Sequence, residues 1–229
     1  MSRRRVLGVD ACRAGWVGIA LGPTRVHGYV DAEIADVVAR AERDGDLRVV
    51  GIDIPIGLPD KGRRSADVLA KRMVGTRRSS VFMTPVRDAL LAPDHASAVQ
   101  INRGKAGEGI SAQAYALRER VLSVDAWVRR TDIIVREVHP EVSFAHLAGR
   151  PLRTRKKTWN GAEERRQLLA TAGIDLTGLD LDDDGVAVDD VLDAAAVAWT
   201  ARRILTGEAT SIPDPPERFS DGLSAAISV

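Results

Sequence analysis

Apolar positions in this chain fall into two kinds of run, unbroken ones and helically spaced ones. The unbroken kind comprises 6-VLGVDACRAGWVGIAL-21 and 48-RVVGIDIPIGLP-59. A strand buried on both faces reads as a continuous apolar run. Gly8, Gly15 and Gly18 make the first run read as two strands around a tight turn, and 25-RVHGYVDA-32 supplies a third strand. The segment 33-EIADVVARAERDG-45 spaces Ile34, Val37, Val38 and Ala41 as one helix face and stops at Gly45. The stretch 65–74 predicts a helix, and 111–130 predicts a long one with Ser111 placed to cap it. A strand over 132–144, a helix from about Gly161 to Ala172 and a helix over 190–205 follow. Pro213, Pro215 and Pro216 predict an extended arm over 207–229. Antiparallel strands first and strand–helix alternation later give a mixed α/β sheet, one domain over 1–229 with a mostly helical insertion at 60–130.

Each unbroken run carries one carboxylate, Asp10 in the first and Asp53 in the second. A carboxylate in an apolar strand loses hydration, at a cost of several kcal/mol unless something pairs with it. Neighbouring strands would set Asp10 and Asp53 on one sheet surface. Asp190 and Asp193 are spaced i, i+3 in the first turn of the last helix, on one face and at the positive end of its dipole. Four converging carboxylates repel one another, which calls for raised pKa values or bound divalent cations. Oxygen-only ligands suit Mg²⁺ or Mn²⁺, and such ions drive phosphodiester hydrolysis. Asp190 serves equally well as a helix cap.

A second set of residues has the chemistry of phosphate recognition. Arg77, Arg78, Ser79, Ser80 and Thr84 combine bidentate guanidinium donors with hydroxyls. Lys156, with Arg153, Arg155 and Lys157, forms another basic group, and Ser111 and Gln113 are further candidates. On the strand 132–144, period-2 alternation puts Glu137, His139 and Glu141 on one face, with Pro140 bending or ending it. Glu137 would add a carboxylate to the site, and His139 a proton shuttle or phosphate contact. Trp16, Trp127, Trp159 and Trp199 read as packing residues, because at 4% aromatics the chain shows no stacking surface. Cys12 reads as a small buried hydrophobe with no base beside it.

Composition narrows the choice of partners. A formal charge of +1 makes no global case for a nucleic-acid footprint. The single cysteine excludes an internal disulfide framework and a cysteine-based zinc site. No apolar run approaches the roughly 20 residues that span a bilayer, and the segment behind MSRRR carries Asp10 and Arg13, unlike a signal peptide. The expectation is a cytoplasmic protein with no membrane partner.

The order Asp10, Asp53, Asp190-x-x-Asp193 resembles the ribonuclease H-like superfamily, and within it the Holliday-junction resolvase type with a DxxD pair on its last helix. More narrowly, GVDACRAGWVG, IDIPIGLP, RRSSVFMTP, EVHPEVSF and DDVLDAAAVAW, taken in order from about residue 5 to 206, resemble the DUF429 family of predicted nucleases. That resemblance implies a mixed five-stranded sheet flanked by helices, with a helical insertion after the strand carrying Asp53. It also implies a metal-dependent phosphodiesterase acting on nucleic acid or a nucleotide-type phosphate ester. Two alternatives stay open. One is an ATP-dependent phosphotransferase of the actin and sugar-kinase type, although ACRAGW lacks a Gly-Thr/Ser-rich phosphate loop. The other is a non-catalytic binding protein on the same fold.

Overall fold

The computed structural model describes residues 4–23, 25–181 and 185–229, so the middle of the acidic loop lies outside the described residues. Strands β1 (Arg5–Cys12) and β2 (Gly15–Leu21) form the expected hairpin, with Asp10 opposite Val17, and β3 (Val26–Asp31) extends it antiparallel. Helix α1 (Ile34–Arg43) carries the chain over the sheet, so that β4 (Leu47–Ile52) lies parallel to β1. Strand β5 (Ile134–Val138) then adds parallel to β4. The insertion between β4 and β5 holds α2 (Ser65–Met73), a 3-10 turn at Gly75–Ser80, and α3 (Arg87–Leu90). It continues with α4 (His95–Ala106), α5 (Ala112–Ala116) and α6 (Arg118–Val128). After β5 come α7 (Pro140–Ala148), α8 (Trp159–Thr171) and α9 (Val188–Thr206).

The sheet has seven strands in the order β3-β2-β1-β4-β5-β7-β6, where five were expected. The two additional strands come from the proline-rich tail, as β6 (Ser211–Arg218) and β7 (Ser224–Ser228). Proline cannot donate to a ladder, yet an edge strand tolerates it. β6 is such an edge, paired to β7 at Ser211, Ile212, Glu217 and Arg218, with the prolines between those points. The architecture is a mixed α/β sheet flanked by helices, consistent with the ribonuclease H-like type.

Two further expectations need correction. The strand expected over 132–144 ends at Val138, because Pro140 stands at the first position of α7, where its missing N–H costs nothing. Glu141 therefore leaves the strand face and pairs both carboxylate oxygens with buried Arg165, at 2.8 and 2.9 Å. The helix expected over 111–130 is broken at Leu117 into α5 and α6.

Alternation along β1 and β4 decides which helix meets which face. Leu7, Val9, Val50 and Ile52 pack with α1 and α6 on one side. Val6, Gly8 and Asp10, with Val49, Gly51 and Asp53, point to the other side, where α9 lies. A Cβ at Gly8 would stand 2.0 Å from the Ala198 amide nitrogen and 2.2 Å from the Ala194 carbonyl oxygen. One at Gly51 would stand 2.9 Å from the Val197 side chain. The glycines and the fully buried stretch Ala194–Ala198 let helix backbone rest directly on the sheet. This close approach brings the first turns of α9 over Asp10 and Asp53. Among the described residues, no helix is long and apolar enough to cross a membrane.

Candidate functional site

β1 and β4 run parallel with Val9 opposite Ile52, so Asp10 and Asp53 are the next residues on two adjacent strands. Asp53 stands just past β4, its N–H donating to the Val9 carbonyl at 3.0 Å. Asp10 is buried and accepts the Ala11 N–H at 2.7 Å. Asp193, buried on α9, completes a set of three carboxylates delivered by three elements.

The charge balance of this set is unfavourable. Burial, followed by the neighbouring Asp53 and Asp193 charges, holds the Asp10 carboxyl well above the usual carboxylate range. Burial also raises Asp53, against the pull of His139 and Lys156. Asp193 is pushed up to about 6 by burial, even though Lys156 opposes the shift. Lys156 comes from the loop before α8, and its Nζ donates to Asp193 Oδ2 at 2.5 Å and lies 3.6 Å from Asp189 Oδ2. Burial alone would lower the Lys156 pKa, but Asp193, Asp10 and Asp189 together raise it. Asp193 Oδ1 is buried and has no hydrogen-bond partner among the described residues.

Asp10, Asp53 and Lys156 line a cleft of about 220 Å³, whose walls also carry Ser80, Thr84, Gln113, Arg120, Glu137, His139 and Asp190; Asp193 is linked to it through Lys156 and is not itself in the lining. A larger opening of about 600 Å³ lies at the β3 edge of the sheet. Its lining carboxylates, Asp175 and Asp180, are exposed, so it has no comparable concentration of buried charge.

Several predicted residues hold positions that limit their chemistry. Asp190 sits half-buried at the cleft with Oδ2 3.4 Å from the Ala187 N–H, which it caps, and burial raises its pKa. Glu137 Oε2 accepts from Arg64 at 2.6 Å and from the Ile56 N–H at 2.7 Å, so it anchors the loop after β4. Burial pushes Glu137 up to about 7 against the pull of Arg64. His139 stands at the N-cap position of α7 without a side-chain capping bond, its Nε2 3.4 Å from the Ser80 carbonyl. Thr84 is buried, its N–H donating to Asp67 and its hydroxyl accepting from Arg64. Arg77, Arg78, Ser79 and Ser111 do not line the cleft. Arg78 faces a separate opening with Arg63, Lys71 and Arg72, because the 3-10 turn points successive side chains in different directions. Ser111 caps α5, accepting the Ala114 N–H at 3.1 Å.

Arg120, Asp189 and the Arg64–Asp67 pair escaped the sequence reading. Arg120 sits on α6, donates to the Cys12 carbonyl at 2.6 Å and lines the cleft. No local pattern marks it, since it reads as an ordinary helical arginine. Asp189 had a signal in its place directly before Asp190. Cys12 is buried and burial raises its thiol pKa, in keeping with a packing role.

Among the described residues, no group of three or more His, Cys, Asp or Glu side chains is arranged to hold a metal ion. The ammonium of Lys156 supplies the counter-charge instead. In donor type alone the set is the kind a hard divalent ion takes: it is oxygen-only, and one buried oxygen, Asp193 Oδ1, has no partner among the described residues.

Fold and site together define a mixed α/β protein with an acidic cleft at the C-terminal ends of two parallel strands. The chain matches the family described as "Protein of unknown function (DUF429)" over residues 8–218, and it belongs to that family. No curated protein and no solved structure matches it.

Proposed function

We propose that this protein is a divalent-metal-dependent phosphodiesterase acting on nucleic acid or a nucleotide-type phosphate ester. The observation that carries the reading is the burial of Asp10, Asp53 and Asp193 close enough for their charges to act on one another, with Asp10, Asp53 and Lys156 lining one cleft and Lys156 bonded to Asp193. A binding surface has no use for a self-repelling cluster that opposes folding. Mg²⁺ or Mn²⁺ held by Asp10, Asp53 and Asp193, with Asp190 at the rim, would supply Lewis-acid polarisation of a phosphoryl oxygen.

The remaining roles belong to the chain's own groups. Lys156 is a compact charge on a flexible stem, and its partly exposed ammonium can turn from Asp193 to a phosphate oxygen. Arg120 and Gln113 bring donors to the wall formed by α5 and α6. Ser80 adds a hydroxyl, and His139 beside it offers a ring nitrogen that accepts or gives a proton. Glu137 and Arg64 keep the loop after β4 in place and touch no substrate.

The phosphotransferase alternative gains no support at the β1–β2 turn. Only Arg13 and Ala14 separate the two strands, and Gly15 packs against the Asp31–Ala32 backbone, so no loop remains to wrap a phosphate.

The test is a calorimetric titration with Mn²⁺, paired with hydrolysis of bis(p-nitrophenyl) phosphate. Wild type should bind Mn²⁺ and hydrolyse the ester, and Asp10→Asn should do neither while keeping its fold. An Asp10→Asn variant with full activity, or a wild type inert at millimolar Mn²⁺, removes the reading.

A further inference from the structure

Trp159 is the feature that the carboxylate site leaves unexplained. Three of the four tryptophans are packed or half-buried, but Trp159 is 82% exposed at the first position of α8. Its presentation is rigid. Thr158 caps α8 by accepting the Gly161 N–H at 3.2 Å, and its own N–H and hydroxyl donate to the Arg155 carbonyl at 3.0 and 2.8 Å. Gly161 is required for this turn, since a Cβ there would stand 1.9 Å from that carbonyl. A capped, tightly turned loop therefore holds the indole in water, a poor arrangement unless something covers it.

The surroundings indicate what that is. Arg153, Arg155 and Lys157 are all exposed, and none has an ion-pair or side-chain hydrogen-bond partner among the described residues. Lys156, in the same loop, turns inward, lines the cleft and bonds Asp193. Trp159 is three residues further on, so its Cα lies no more than about 11 Å from that of Lys156. Three exposed cations within six residues of an open indole combine phosphate contact with a stacking face, the pairing that single-stranded nucleic acid requires. A duplex would hide its base faces from the ring.

We propose that Trp159, with Arg153, Arg155 and Lys157, is a docking site for single-stranded nucleic acid, one base stacking on the indole as the backbone runs into the carboxylate cleft. This assignment deepens the phosphodiesterase reading and rests on it for the direction of the strand.

The experiment is fluorescence anisotropy of labelled oligo(dT)20 with the full chain in EDTA, for wild type, Trp159→Ala and Trp159→Phe. Wild type should bind with an affinity that falls steeply with salt. Trp159→Ala should weaken binding between about fivefold and a hundredfold, the range for one stacked base, and Trp159→Phe should restore most of it. Equal affinity in Trp159→Ala, equal affinity for a duplex, or no oligo(dT)20 binding by wild type overturns the proposal. So does light scattering that shows Trp159→Ala dissolving a dimer, which would assign the indole to a second copy of this chain. Because the titration contains no metal, its failure is distinct from a failure to take up Mn²⁺.

Discussion

Replacing Asp193 with asparagine should stabilise the metal-free protein. Asp193 ionises at about 6 in the fold against 3.8 unperturbed, a rise of about two units that corresponds to about 3 kcal/mol. That balance already includes the attraction of Lys156, and the side chain is only 4% exposed, so solvent does little to screen it. The sign follows from linkage. A carboxyl whose folded pKa lies above its unfolded value favours the native state at low pH, and that advantage is lost as pH rises through about 6. A neutral amide at this position has no such loss. In EDTA at pH 7.5, Asp193→Asn should therefore be more stable than wild type by about 1–3 kcal/mol, with a Tm roughly 3–10 °C higher. The difference should shrink toward zero near pH 4. Urea unfolding of both proteins at several pH values measures it. Added Mn²⁺ should then favour wild type, because an ion that binds only the native state stabilises by mass action. If Asp193→Asn is less stable at pH 7.5 without metal, Asp193 is an ordinary structural partner of Lys156 and the argument for an electrostatically strained site fails.

Two other outcomes follow from the packing. Arg64→Met should cost about 3–5 kcal/mol in urea unfolding, since it strands Glu137 and Asp67 around a guanidinium that is fully buried. The double variant with Glu137→Gln should recover part of that loss. Gly8→Ala should cost more than about 3 kcal/mol or prevent folding, because α9 backbone already occupies the space of the new methyl group; a soluble variant with wild-type Tm would refute the close approach of α9 to β1.

How much of this was legible in sequence depends on the range of each interaction. Asp10 and Asp53 stood out because one charge in an apolar strand is locally anomalous, and the parallel register of β1 and β4 then sets them side by side. The i, i+3 spacing placed Asp190 and Asp193 on one face, but only the three-dimensional contacts separate a buried Asp193 from a capping Asp190. Lys156 could be named as a cation. Its insertion among the carboxylates depends on how a loop more than thirty residues before Asp193 folds back over α9. Arg77 and Arg78 were attractive as residue types, but nothing local said that the 3-10 turn would aim Arg78 elsewhere. The tail misled because prolines argue against a strand in general and only weakly against an edge strand. Trp159 was hidden for a similar reason, since composition counts aromatic residues without saying which one a capped turn leaves in solvent.

The position of Lys156 also bears on how the site is kept ready. With Asp10, Asp53 and Asp193 all ionised, one ammonium leaves the set two charges short of neutrality. Burial holds all three carboxyls above their ordinary range, and like charges add to the shift at Asp10 and Asp193, so in the metal-free protein protons offset part of that deficit. A divalent cation carries the missing two charges, so its uptake should displace those protons and be linked to pH. Lys156 would then lose the field that fixes it on Asp193 and become free to meet an incoming phosphate. On the proposed reading, Lys156 would fill the place of the missing charge in the empty site and donate hydrogen bonds to a phosphate in the loaded one.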